Sequence, residues 1–93
     1  MEGTWGGVVA LSPAGEAIGV LRIMQDASGW FSIWDVAVLP SWQAQGIGSK
    51  MMEEALAMVR EASPGAIVYL FTYEHGFYGR LGFKEETASV RRL

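Results

Sequence analysis

Ninety-three residues, 51% of them apolar and 18% charged, suffice for one core and not for two, so residues 1–93 are read as a single domain. A net charge of −3 with scattered basic residues argues against a nucleic-acid partner, and apolar runs broken by Asp, Gln or Arg argue against a membrane span. The lack of cysteine and the single histidine, His75, exclude disulfides, thiolate zinc sites, a cysteine acyl-enzyme and a multi-histidine metal centre, so no metal site is expected.

The N-terminus has neither the basic nor the apolar segment of a signal peptide, so a soluble cytoplasmic protein is expected. Thr4 to Leu11, "TWGGVVAL", reads as a strand weakened by two glycines, and "SPAGEA" follows as a turn. Ile18 to Gln25 makes a second strand, with Ile18, Val20 and Met24 on one side and Leu21 and Ile23 on the other. "DASG" supplies a hairpin turn to a third strand, Trp30 to Leu39. Alternation puts Ser32, Trp34, Val36 and Val38 on one face of it, and Ile33, Asp35, Ala37 and Leu39 on the other. These three strands form an antiparallel meander.

The period then changes. Ile47, Met51, Ala55, Leu56, Val59 and Ala62 recur at helical spacing, with Glu53, Glu54, Arg60 and Glu61 opposite. "SPG" at Ser63 to Gly65 stops the helix. The unbroken apolar run Ala66 to Phe71 suits a strand covered on both faces. Strand, helix and strand make a βαβ crossover, so this strand should lie parallel to the third. "GFYGRLGF" predicts a short helix broken at Gly82, and Phe83 to Leu93 one or two closing strands. The fold class is therefore α+β, with a mixed sheet.

At the mouth of the helix stands "QAQGIGSKM", Gln43 to Met51. Gly46 and Gly48 cost helix propensity of roughly 1 kcal/mol each relative to Ala. They either relieve crowding against the sheet or let a ligand reach the backbone. A helix N-terminus at the carboxyl end of a strand presents unpaired N–H groups and a positive dipole end, which suits phosphate. Lys50 would add a cation. The stretch is not a P-loop, and a dinucleotide fingerprint would need glycine where Met51 stands.

Instead "VLPSWQAQGIGSKM" resembles the acetyl-CoA-binding segment of the GNAT superfamily of N-acetyltransferases, whose Gln/Arg-x-x-Gly-x-Gly/Ala pattern falls on Gln43, Gln45 (at a variable position), Gly46 and Gly48. A second family motif, near "FYxxxGF", matches Phe77 to Phe83. The motifs stand in family order, one helix and one buried strand apart, and the resemblance covers about Thr4 to Phe83. It implies acetyl-CoA as cofactor, held by the backbone of Val36 and Val38 along the pantetheine. The loop Gln43, Ala44, Gln45, Gly46, Ile47, Gly48 and Ser49 would hold the pyrophosphate, with Lys50 beside it. It implies Tyr78 as the catalytic acid that protonates the departing thiolate, a role suited to a phenol with a free pKa near 10.

Two departures from the family stand out. Members often carry a carboxylate or histidine on the face of Ser32 and Trp34, and neither type is there. Asp35, in "WDVAV", resembles the acidic stretch of glucosamine-phosphate acetyltransferases, but alternation turns it away unless a bulge intervenes. Glu74, His75 or water are the other candidate proton acceptors. The family's usual leading strand and two helices are also missing, which suggests a minimal member, a shortened chain, or a pocket finished by another subunit. Trp5, Trp30, Trp34 and Trp42 suit either an exposed cleft or interface, or plain core packing. The expected function is acetyl transfer from acetyl-CoA to a small primary amine by direct attack in a ternary complex, in a homodimer. The alternatives are a CoA-binding regulatory module without turnover and, more distantly, a purely structural dimerisation domain.

Overall fold

The computed structural model describes residues 4–70, 84–85 and 89–92, with side chains described over 5–70. Alternating apolar residues make β1 (Thr4–Leu11), β2 (Ala17–Gln25) and β3 (Phe31–Val38), which pair antiparallel in turn. The β2–β3 turn is closed by Asp26, whose carboxylate accepts the backbone N–H groups of Ser28 at 2.9 Å and Trp30 at 3.2 Å, and the Ser28 hydroxyl. The Ser28 hydroxyl foremost, with help from those amides and Tyr69, holds the Asp26 carboxyl below the usual carboxylate range.

Helix α1 (Ile47–Ala62) then crosses to β4 (Ile67–Leu70), which lies parallel to β3 as the crossover requires. β6 (Ser89–Arg92) pairs antiparallel with β4, and β5 (Lys84–Glu85) closes the far edge, giving the order β1-β2-β3-β4-β6-β5. The mixed α+β sheet is thus as expected, and two closing strands fall within Phe83 to Leu93. The short helix expected over "GFYGRLGF" lies outside the described residues.

The apolar stripe of α1 builds the core. Met51, Met52, Ala55, Leu56 and Val59 pack on Leu21, Ile23, Phe31, Ile33, Val68 and Leu70, all buried. Each large side chain so buried contributes about 1.5–3 kcal/mol. The stripe sits slightly off its expected position, because Met52 is buried and Ala62 is exposed. Close approach of helix to sheet depends on Gly19: a Cβ there would stand 2.7 Å from the Met51 sulfur and 3.3 Å from the Ala37 carbonyl oxygen.

β3 departs from simple alternation. Val20 pairs with Ala37, but Arg22 pairs with Trp34, so Asp35 and Val36 together oppose Leu21. This is a β-bulge, and Asp35 takes the left-handed conformation, φ 56°. Beyond it the faces exchange: Phe31 and Ile33 belong to the core, and Val36 and Val38 also pack against it. The expected grouping of Val36 and Val38 with Ser32 and Trp34 is therefore corrected, because one extra residue reverses a period of two. In β2, Ile18 is buried while Val20 is exposed; Ile18 is the extra residue at a register shift between Ala10 and Leu11.

The sheet face away from α1 is open over its first three strands. Val9, Val20 and Ala37 form one cross-strand row and Gly7, Arg22 and Trp34 another. Val9 is 57% exposed, Val20 42% and Trp34 38%.

Candidate functional site

β3 delivers the chain to the helix through a braced corner. The Leu39 N–H donates to the Ile18 carbonyl at 2.8 Å, and a 3-10 turn over Pro40–Trp42 reverses direction. The Gln43 side-chain amide donates back to the Val38 carbonyl at 2.9 Å, tying the loop to the strand end. Ala44 and Gly46 both take left-handed backbone, φ 63° and 79°, and Gly46 is the N-cap of α1. The first helical bond runs from the Lys50 N–H to the Gly46 carbonyl at 3.1 Å. The amides of Ile47, Gly48 and Ser49 therefore have no carbonyl partner within the helix. Among the described residues no side chain caps this terminus, and its first turn holds no acidic residue to offset the positive end of the helix dipole.

Between the strand end and the helix mouth lies a groove of about 730 Å³, within the range of small-molecule sites. Of the expected cofactor residues, Val36 and Val38 line it from the strand, Gln43 and Ala44 from the turn, and Gly46, Ile47, Gly48 and Ser49 from the helix mouth. Two do not line it. Gln45 turns its side chain to the Ser41 carbonyl at 3.5 Å. Lys50 lines an adjoining hollow of about 350 Å³ beside Val8, Met51 and Glu54, because the fourth helical residue leaves α1 on the flank toward β1. Sequence reading missed Ala37 and Trp42, which also line the groove. Trp42, directly before the Gln-x-x-Gly pattern, offered a signal; Ala37 offered none without knowledge of the bulge.

Among the described residues crowding does not explain Gly46, since a Cβ there would meet none of their atoms within 4 Å. Its left-handed φ does, with an open backbone as the result. Asp35 is exposed on the bulge, its Oδ2 accepting the Arg22 Nε–H at 2.6 Å. Three of the four tryptophans are exposed, Trp5, Trp30 and Trp34, while Trp42 is half-buried. Trp5 meets Phe31 edge-on, Trp30 meets Tyr69 edge-on, and the Trp34 indole donates to the Ser32 hydroxyl at 2.7 Å. Tyr78, Glu74 and His75 lie outside the described residues.

The acetyltransferase (GNAT) domain family model matches residues 4–85. The chain is 33% identical over 85 residues to serotonin N-acetyltransferase 2, chloroplastic, of Oryza sativa subsp. japonica, covering 90% of this chain and 42% of that protein. It is 29% identical over 77 residues to histone acetyltransferase TAP1 of Glycine max, covering 82% of this chain and 33% of that one. Among solved structures, a GNAT family acetyltransferase from Brucella melitensis in complex with acetyl-CoA superposes with a TM-score of 0.83 at 29% identity, covering 94% of this chain and 57% of that chain. The chain thus spans less than half the length of the curated relatives it matches.

Proposed function

Because the chain belongs to the GNAT acetyltransferase family, we propose that it transfers acetyl from acetyl-CoA to a small primary amine, by direct attack of the amine in a ternary complex. The observation that carries this reading is the uncapped helix mouth opening onto the groove at the end of β3. Three amides without an intrahelical partner are the donors that a pyrophosphate needs, and the left-handed glycine and positive dipole end favour its approach. The solved relative from Brucella melitensis holds acetyl-CoA.

Acetyl-CoA, when bound, supplies a thioester whose acyl carbon accepts an amine. The chain's part is to hold and to aim. The amides of Ile47, Gly48 and Ser49 bind the pyrophosphate, and the strand backbone at Val36 and Val38 orients the pantetheine. Lys50, on the flank toward β1, adds long-range positive potential rather than a groove contact. Tyr78 gives its hydroxyl proton to the departing sulfur, and backbone donors polarise the carbonyl, so that positioning supplies most of the rate. Asp35, already engaged by Arg22, is the weakest of the candidate bases beside Glu74, His75 and water.

The uncovered apolar face and the outer edge of β1 support a homodimer whose second copy shields them and completes the acceptor cleft. No described helix is long and apolar enough to cross a membrane. The cytoplasm is the proposed compartment on composition, although the Oryza relative bears a chloroplastic name. No nucleic-acid partner and no metal enter this reading, which treats residues 1–93 as one catalytic domain.

Calorimetric titration with acetyl-CoA tests the site, and release of free thiol over a panel of small amines, serotonin and a histone peptide tests turnover. Gly48→Val should abolish CoA binding with the fold intact; normal binding by that variant would refute the phosphate-loop reading. Binding without thiol release on any acceptor would favour a regulatory module.

A further inference from the structure

β3 pairs with β2 along its length and, among the described residues, with β4 at Phe31 and Ser32. The groove begins at Val36. Between the last β4 pair and the groove sits the bulge at Asp35 and Val36, where the strand bends and its faces exchange. Whatever sets the bulge also sets how the backbone of Val36 and Val38 is presented. Asp35 holds a left-handed φ of 56°, a region that an L-residue other than glycine seldom occupies, Asn and Asp being the most tolerant.

Among the described residues, the Arg22 side chain spans this irregularity. Arg22 stands on β2 opposite Trp34, the residue just before the bulge, and its Nε binds Asp35 Oδ2 at 2.6 Å. The pair therefore pins the bulged strand to its neighbour at the point where their registers part. With side chains 30% and 61% exposed, such a pair adds little to global stability. Its place in the fold gives it a different use.

We propose that Arg22 is a positioning residue for the groove: by holding Asp35 in the left-handed conformation it fixes the bulge that presents the Val36–Val38 backbone to the cofactor. This inference rests on the acyl-CoA reading of the groove. It requires no contact between Arg22 and the ligand.

The test is CoA titration calorimetry with thermal unfolding on the unaltered chain, Arg22→Met, Asp35→Gly and the double variant. Arg22→Met should weaken CoA binding about tenfold, the loss expected from mis-setting one or two hydrogen bonds, with little change in unfolding temperature. Glycine adopts the left-handed backbone without help. Asp35→Gly should therefore bind CoA nearly as the unaltered chain does, and adding Arg22→Met to it should cost no further affinity. Two results overturn the inference: normal CoA binding by Arg22→Met, or an equal loss from Arg22→Met in the Asp35→Gly background, which would show that Arg22 acts through something other than Asp35. Should Arg22→Met fail to fold, Arg22→Lys keeps the charge and much of the stem but lacks the Nε donor, and is judged by the same comparison. An unaltered chain that binds no CoA would sink the acyl-CoA reading itself, and this inference with it.

Discussion

Tyr78 and Gly46 show how differently single residues can be legible. Tyr78 is legible through a motif, and the role proposed for it is chemical. Tyr78→Phe keeps the ring and removes the proton, so turnover should fall about 10²-fold with CoA affinity little changed, the usual scale for a general acid. Steady-state rates beside calorimetry would check this, and unchanged turnover would return Tyr78 to a packing role. Gly46 was visible as a glycine without showing which property of glycine is used. The backbone decides: φ is 79°, and no described atom crowds the position. Gly46→Asn should accordingly keep more thermal stability than Gly46→Val, since Asn tolerates the left-handed region and a β-branched residue there is an outlier. Equal unfolding temperatures for the two variants would count against a conformational role.

Among elements, period and turn chemistry carried most of the fold. Thr4–Leu11 and Ile47–Ala62 could be bounded from alternation, helical spacing and the "SPG" stop. The bulge could not. Nothing local in "WDVAV" distinguishes a straight strand from one with an extra residue, because the shift exists only relative to β2. That one unreadable feature misplaced Val36 and Val38 by a face and hid Ala37 from the groove. Packing between elements is equally non-local. Gly19 looks like a weak point in β2, yet a Cβ there would press on Met51 and the Ala37 carbonyl. Gly19→Ala should destabilise by about 1–3 kcal/mol through overpacking; an unchanged denaturation midpoint would show that Met51 moves aside freely. The β2–β3 hairpin carries a pH signature. Asp26 has a lowered pKa, chiefly from the Ser28 hydroxyl. Its stabilising effect is therefore full above the unfolded carboxylate value and is lost as pH falls through the lower folded one. Asp26→Ala should melt below the unaltered chain at neutral pH, and the gap should close in acid. A gap independent of pH would assign the effect to turn geometry alone.

For the whole molecule, the open face and the outer edge of β1 set the expected assembly. A chain exposing Val9, Val20 and Trp34 together should self-associate, and light scattering at micromolar concentration should give the mass of a dimer. A monomer would remove the shared-cleft proposal. The junction of β3 with β4 bears on folding as well as on the groove. Among the described residues two pairs join the meander to β4, and buried Val68 and Leu70 tie that strand into the core shared with α1. Native-state amide exchange should therefore resolve two cooperative units, with β4 and β6 opening at lower free energy than β2 and α1. A small domain built on one sheet would then melt in two steps at the level of individual amides.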